Sequence, residues 1–577
     1  MAGWLVRRGF VEVERTRRFL QPRLADLTSP DAMIDRSVVA RRLAQAVRAR
    51  ERIAVFGDYD CDGITSAAIL TEVLRRVGGD AVPLIASRFD GGYGVSSIAV
   101  QRILSSGARL LVTCDCGSSD HDSLALIAQQ GVEVIVIDHH LVPERPLPAV
   151  GFLNPHRPDC GFAYKGLASC GLALSVAAAL RKELGVDLDL RYWLDLVAVG
   201  TVADVAPLDG DNRALVRAGL GAISSAQRPG MQAVLEVAKI SREVPLTGRD
   251  VAFRIAPQLN APGRLGSADL ALELLLATDL PSARGLAARL DLLSSERRAQ
   301  SELILEQALA DIVQHGLEQQ AALVVGRRGW NPGVVGIVAG RLADRFERPV
   351  IVVGFDGQTG RGSVRGPVGS RLHDALSEAS DVMVRFGGHQ QAAGLEVLEE
   401  RLSELRERFV AAVGRQGPAP RVEAGADVVT LEPGDDPLAV LTDLDRLEPC
   451  GFGNPRPKLR VVGRVSEARE VKNGHLKLLL QLGERSWLGG FGPRLGAHAD
   501  ALRGEVQVIG DLRHNSYPGG DPVELFVDQL LHAGALLAPV QVAAPQRGVQ
   551  RVQAPAASSQ QVSALPDACE VSEAPCP

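Results

Sequence analysis

The chain has 577 residues, 46% of them hydrophobic, with a formal net charge of −6 and a pI near 6.1. Such a length and apolar content call for roughly three or four domains rather than one core. Eight cysteines in so long a chain exclude a disulfide scaffold, and the mildly acidic balance excludes the global basic field of many nucleic-acid binders, leaving at most a local basic channel.

Residues 1 to 45 read as a helical lead-in. This Arg-rich stretch lacks the uninterrupted apolar core of a signal peptide, and nowhere does a run of about 18 apolar residues predict a membrane span. Unpaired thiols then point to the cytoplasm.

From 46 to 215, strand-like apolar runs alternate with helical patterns, as the βα units of a parallel sheet require. Three runs stop at acid and imidazole clusters. Ile53-Ala54-Val55-Phe56 leads to Asp58, Asp60 and Asp62 in GDYDCDG, Leu110-Leu111-Val112-Thr113 leads to Asp115, and Val132 to Ile137 leads to Asp138-His139-His140. In an open α/β sheet the carboxyl ends of the strands line the ligand crevice, so these groups converge. So many carboxylates need a divalent cation to neutralise them; mixed Asp and His ligands suit Mn²⁺, and Asp alone suits Mg²⁺. A fourth apolar run, Val197 to Ala203, stops at Asp204, which completes a binuclear cage. Two ions a few Å apart activate water and stabilise the oxyanions of an in-line displacement at phosphorus, so the chemistry predicted is phosphoester hydrolysis. GDYDCDG alone reads sooner as a solvated turn than as a metal loop, whereas two adjacent imidazoles after a buried strand place at least one in the cleft. Cys114-x-Cys116 is not a zinc knuckle, since paired Cys-x-x-Cys motifs are absent and tight loops need small residues.

Residues 216–319 read as a helical connector, with apolar positions at helical spacing from Leu270 to Leu276 and around Ser301 to Val313. A second α/β lobe spans 320–410, with strands at Ala322 to Val325 and Pro349 to Val353. Within it, Gly360-Arg361-Gly362-Ser363-Val364-Arg365-Gly366 reads as a phosphate cradle, with a plain surface turn as the alternative; Gly387-Gly388-His389 brings His389 towards the same crevice. From 425 to 535 five short β runs without helices between them predict a small barrel of the OB type, which binds single strands through a basic groove and stacking aromatics. Arg464, Lys472, His475, Lys477 and Arg513 are the backbone contacts expected there, with Trp487, Phe491 and Tyr517 either stacking bases or filling core. The Ala-, Pro-, Gln- and Ser-rich tail, 536–577, has the composition of a disordered segment.

The order Asp-His-His, with GDYDCDG before it and Asp204 after it, resembles the DHH phosphoesterases. Trp330-Asn331-Pro332-Gly333-Val334-Val335-Gly336 and Gly387 to Gly394 resemble their DHHA1-type second lobe. Leu447 to Pro455 resembles a segment of the single-strand-specific 5′ to 3′ DNA exonucleases of that family. Several ordered motifs, covering most of the chain to about residue 530, are more specific than any one. The resemblance implies two parallel-sheet α/β lobes joined by a helical connector, followed by an OB-like barrel. It implies Asp60, Asp62, Asp115, His139 and Asp204 as ligands of two Mn²⁺ or Mg²⁺ ions, His140 beside the scissile phosphate, and Asp138 and His139 in the catalytic group. Asp58 is either a ligand or the residue that orients the loop. Some members carry a His ligand where this chain has Phe56, which leaves one ion's coordination number open. Arg88 and Arg264 are placed as strand or 5′-end contacts, beside Arg361, Ser363, Arg365, His389 and Lys477; the family pattern has a second Ser where this chain has Gly366.

The activity implied is metal-dependent hydrolysis of single-stranded DNA from the 5′ end, in repair and recombination. A monomer is expected, with single-strand-binding protein and a helicase as possible partners. Two alternatives keep the fold: a phosphodiesterase of short oligonucleotides or cyclic dinucleotides, and an inactive scaffold that binds single strands.

Overall fold

The computed structural model describes residues 2–388, 390, 392–417, 428–484, 486–515 and 520–537. Three helices open the chain, α1 (Ala2–Arg7), α2 (Val13–Leu20) and α3 (Arg36–Ala49), and they do not form one unit. Trp4 and Leu5 of α1 are buried in the core of the C-terminal barrel. Val39, Leu43 and Val47 of α3 are buried in the first α/β lobe. The lead-in therefore ties the two ends of the molecule together.

The first lobe is built on a wholly parallel sheet in the order β2-β1-β3-β4-β5. Its strands are β1 (Arg52–Gly57), β2 (Asp80–Ile85), β3 (Leu110–Cys114), β4 (Glu133–Ile137) and β5 (Gly151–Leu153). Alternate residues of β1 serve two cores. Ile53 and Val55 pack under α3, α4 (Cys61–Arg76), α7 (Ser169–Leu184) and α8 (Leu194–Ala203), while Ala54 and Phe56 pack under α5 (Ser97–Ser105) and α6 (His121–Gln129). Both faces are covered, so the strands read as continuous apolar runs. The chain winds outward from β1 to β2 and then crosses back to β3, which makes the carboxyl ends of β1 and β3 the switch point where ligands bind.

The fourth apolar run of the sequence is the helix α8, not a strand. Leu194 to Val202 are all buried, and a helix apolar on every side has no period to distinguish it from a buried strand. Gly200 lets it approach α4: a Cβ there would lie 2.4 Å from Thr65 Oγ1 and 2.8 Å from Asp62 Oδ1. This close packing delivers Asp204, at the end of α8, to the acids after β1. The helix α9 (Gly210–Ser225) follows.

The connector contains one 35-residue helix, Leu280–Gln314, that reaches from the first lobe to the second. In the second sheet, ordered β6-β7-β8-β10-β9, only β6 (Leu323–Arg328) and β7 (Val350–Asp356) run parallel. β8 (Thr359–Arg365), β9 (Arg385–Gly388) and β10 (Ala392–Leu398) continue it antiparallel, so the parallel expectation holds there for one pair. Short connections join β7 to β8 and β9 to β10, as antiparallel neighbours allow, while residues 366–384, with the helix Leu372–Ser377, carry the chain from β8 past β10 to β9.

The C-terminal strands are β11 (Val428–Leu431), β12 (Lys458–Val471), β13 (His475–Gln481), β14 (Trp487–Gly492), β15 (Gly504–His514), β16 (Val523–His532) and β17 (Ala535–Leu536). The pairings β12-β13-β14-β16-β15 close through β12–β15 into a five-stranded barrel. The five runs seen in the sequence are these five strands. Arg213 of α9 clamps the barrel to the first lobe. Only 2% exposed, it donates to the carbonyls of Phe19, Glu448 and Pro449, and its guanidinium lies 4.0 Å from the Phe19 ring.

Candidate active site

Strand register sets the site. Gly57 is level with Cys114, and Cys114 with Ile137, so Asp58, Asp115 and Asp138 leave the sheet side by side. The ladder extends one step beyond the strands, with Asp58 N donating to Cys114 O, Asp115 N to Ile137 O and Asp138 N to Leu153 O at 3.0–3.2 Å. Asp60 caps α4: its Oδ1 accepts from the backbone N–H of Asp62 and Gly63, which leaves the other oxygen to face outward. The turn requires glycine at 63, since a Cβ would lie 2.4 Å from Asp58 O. Asp62 accepts from Ser169 N and Cys170 N at 2.7 and 2.9 Å, at the positive end of α7.

The adjacent imidazoles are held differently. His140 Nδ1 donates to Asp138 Oδ1 at 2.8 Å, and Asp138 also accepts from the backbone N–H of Ser118, His139 and His140. Burial would raise the Asp138 carboxyl, but the hydrogen bond and charge of His140, with Ser118 and His139, together outweigh it and hold it well below the usual carboxylate range. Burial opposes charge on His140 too, yet the bond to Asp138 pushes that imidazole up to about 9. His139 is the opposite case: burial lowers it despite the nearby Asp62, so it is neutral at pH 7 and able to offer a lone pair. Its Nε2 lies 3.2 Å from Asp115 Oδ1, 3.8 Å from Asp204 Oδ2 and 3.9 Å from Asp62 Oδ2.

These atoms suit a cation. Asp58 Oδ1, Asp115 Oδ1 and His139 Nε2 are buried without a hydrogen-bond partner, a costly state unless an ion completes it. Donor atoms of Asp62, His139 and Asp204 lie within 4.8 Å of one another, as do those of Asp58, Asp60 and Asp115, and those of Asp115, His139 and His140. Burial, then neighbouring negative charge, raises Asp58 and Asp115 well above normal and Asp204 to about 8. The acids therefore cannot all ionise unless positive charge joins them. Phe56 is fully buried in the core under α5 and α6 and offers the cage no ligand.

A cavity of about 610 Å³ opens beside the cage, where Tyr59 and Tyr93 face Gly336 and β8 of the second lobe. Arg88, Arg264, Arg361 and Arg365 line it, and among the described residues none pairs with a carboxylate. Arg264 donates to Gly333 O, Arg361 to Arg88 O and Arg365 to Val364 O, while Arg88 lies 4.2 Å from the Tyr59 ring. Burial, then the charges of Arg88, Arg297 and Arg365, lowers Arg264 to about 10. Half-buried cations crowded together, with the cavity's Glu396 already paired to Arg385, make a preformed anion site. The predicted cradle is a strand rather than a loop, and Arg361, Ser363 and Arg365, two residues apart, share one face of β8.

Not every expected residue joins the site. His389 and Tyr517 lie outside the described residues. Lys477 is on β13, ion-paired with Glu524, and Arg513 pairs with Asp511 over the Phe526 ring, so both charges are already engaged. Phe491 packs 5.8 Å from Phe526, whereas Trp487 is 46% exposed and open to a partner. Three contacts were not foreseen. Tyr93 donates to Asp115 O and sits 3.0 Å from His140 Nδ1, Asn154 donates to His140 O, and Arg297 from the long helix adds its charge to the arginine cluster.

Three family models match the chain: the DHH family, N-terminal domain, over residues 52–201; the DHHA1 domain over 319–415; and the RecJ OB domain over 429–529. The single-stranded-DNA-specific exonuclease RecJ of Bacillus subtilis (strain 168) is 33% identical, covering 91% of this chain and 67% of its own length. The crystal structure of RecJ from Thermus thermophilus in complex with Mn²⁺ has a TM-score of 0.77 at 34% identity, covering 92% of this chain and 76% of that one. Its complex with Mg²⁺ has a TM-score of 0.72 at 32% identity, covering 92% and 74%.

Proposed function

The chain belongs to the RecJ family of DHH exonucleases, and from that membership we propose that it shortens single-stranded DNA from the 5′ end. It is a metal-dependent single-stranded-DNA exonuclease with Mn²⁺ or Mg²⁺ as cofactor. The observation that carries the polarity is the arginine pocket next to the cage. A terminal 5′ phosphate seated among Arg88, Arg264, Arg361 and Arg365 sets the next phosphodiester against the carboxylates, whereas a 3′ hydroxyl offers those cations nothing.

Asp62, Asp115, His139 and Asp204 would hold one ion, and Asp58, Asp60 and Asp115 a second, with Asp115 shared. When bound, the ions supply a nucleophilic water at neutral pH and Lewis-acid polarisation of the phosphate. The step forms a bond from the water oxygen to phosphorus and breaks the bond to the 3′ oxygen, which takes up a proton. The phosphate stays on the shortened strand, and a 5′-mononucleotide leaves. His140, its Nδ1 committed to Asp138, has Nε2 left as the donor to the charge that develops on the phosphoryl oxygens. Asp138 and Tyr93 hold that ring in place. Ser363 shares the phosphate-facing side of β8.

We also place the protein in a reducing compartment, the cytoplasm, as a monomer acting in repair and recombination beside single-strand-binding protein and a helicase. Cys61, Cys114, Cys116, Cys160, Cys170 and Cys450 are free thiols, which supports that placement. Among the described residues no helix is long and apolar enough to cross a membrane.

Digestion with Mn²⁺ of two single strands, one labelled at each end, tests the polarity. Early release of 5′ label, with a blunt duplex untouched, is expected. First release of 3′ label would keep the metal site and discard the polarity.

A further inference from the structure

A second cavity of about 610 Å³ adjoins the first. The two share the start of the helix Val335–Phe346, with Gly336 lining one and Ile337 the other. Arg297 lines the second cavity and is close enough to bear on Arg264 in the first. We propose that this cavity binds the nucleoside 5′-monophosphate released by each cut, holding it on its way out of the cleft.

The lining offers groups for each part of a nucleotide, and its two carboxylates are engaged, Glu302 with Arg341 and Asp291 as acceptor from Gln258 Nε2. Arg297, half-buried, has no hydrogen-bond or ionic partner among the described residues, and Arg298 donates only to the hydroxyls of Ser294 and Ser295. Neither guanidinium is neutralised, so both are available to a phosphate dianion. Phe253 is 69% exposed on a one-turn π-helix, Val251–Ile255, a distortion that recurs at functional sites. Arg249 stacks 5.0 Å from its ring, which leaves the opposite face for a base. Gln258 and Ser301, each 5% exposed, line the cavity with Gln258 Oε1 and Ser301 Oγ lacking any partner. A buried acceptor and a buried hydroxyl without partners are costly unless a ligand serves them, and sugar hydroxyls or base edges do so. The volume is in the range that encloses one small ligand, roughly 300–1,000 Å³.

The inference rests on the proposed cleavage, whose break at the bond from phosphorus to the 3′ oxygen makes the product a 5′-mononucleotide, but its test needs no turnover. Calorimetric titration of the full chain with thymidine 5′-monophosphate in EDTA should give two sites, one in the arginine pocket and one here. Phe253→Ala combined with Arg298→Ala, both on exposed side chains, should reduce this to one. In Mn²⁺, the same double variant should relieve product inhibition at least fivefold without changing initial rates. Irradiation of the unaltered chain with 5-bromodeoxyuridine monophosphate should crosslink the peptide that contains Phe253. Unchanged stoichiometry in the variant, a crosslink confined to other peptides, or displacement by inorganic phosphate at equal concentration would each overturn the assignment. Release of 3′-phosphorylated nucleosides in the digestion, with two sites retained, would leave a nucleotide site whose ligand is not the product.

Discussion

Asp115→Asn is expected to abolish nuclease activity and, in the presence of a chelator, to raise the melting temperature. Asp115 is 2% exposed and shared between the two proposed ion positions, so its loss weakens both. Metal ions stabilise transition-state charge by several kcal/mol, and at about 1.4 kcal/mol per decade that is a thousandfold or more. Asparagine is the right replacement because Asp115 has φ +64°, a conformation that Asn tolerates and Ala does not. The stability gain follows from the sign of the shifts. Burial raises the Asp58, Asp115 and Asp204 carboxyls above their unfolded values. The folded, metal-free chain thus holds more protons than the unfolded one. This contribution to stability is complete below the ordinary carboxylate range and is lost as pH rises towards the folded values, about 8 for Asp204. Removing one such charge relieves repulsion at neutral pH. In the wild type, the rise in melting temperature on adding Mn²⁺ should be larger at pH 8 than at pH 5.5, since ligands must lose protons to bind. Scanning calorimetry beside a single-strand digestion assay measures both effects. An active Asp115→Asn enzyme, or a metal-induced shift equal to the wild type's, would remove Asp115 from the cage.

How much of this was legible in the sequence depended on distance along the chain. Asp58, Asp115 and Asp138 were readable because each follows a continuous apolar run, and parallel register turns three separate strand ends into neighbours. Asp204 was found through the wrong element: α8, buried on every side, carries the same unbroken apolar run as a buried strand. The barrel showed itself in its short alternating runs, but Lys477 looked like a free cation because Glu524, 47 residues further on, pairs with it only once β16 lies beside β14, one strand over from β13. Trp4 and Leu5 read only as part of a helical lead-in, since nothing local indicates burial in a core more than 400 residues away. Arg297 had no signal either, being one charge among many on a 35-residue helix until the fold sets it beside Arg264.

Arg365→Ala is expected to remove the enzyme's preference for a phosphorylated 5′ end. Arg365 and Arg264 are both mostly buried, and burial with crowding by Arg88 lowers both below the ordinary guanidinium value. Their repulsion is a standing cost in the empty pocket, and a phosphate relieves it; that difference is the source of the discrimination. Truncating one partner of a desolvated charge pair costs about 2–5 kcal/mol, so the advantage of a 5′-phosphorylated over a 5′-hydroxyl strand should shrink by roughly 30-fold or more. Most of the loss should fall on kcat/KM for the phosphorylated strand, with the hydroxyl strand nearly unchanged, because the contact exists only with the phosphate. Arg365→Lys should recover charge but little preference, since an ammonium cannot reproduce the planar fork of donors. Lysine restoring full discrimination would mean that the pocket works through net charge alone. Equal losses on both strands would mean that Arg365 grips the chain rather than its end, and the polarity would then have to come from the approach to the cage itself.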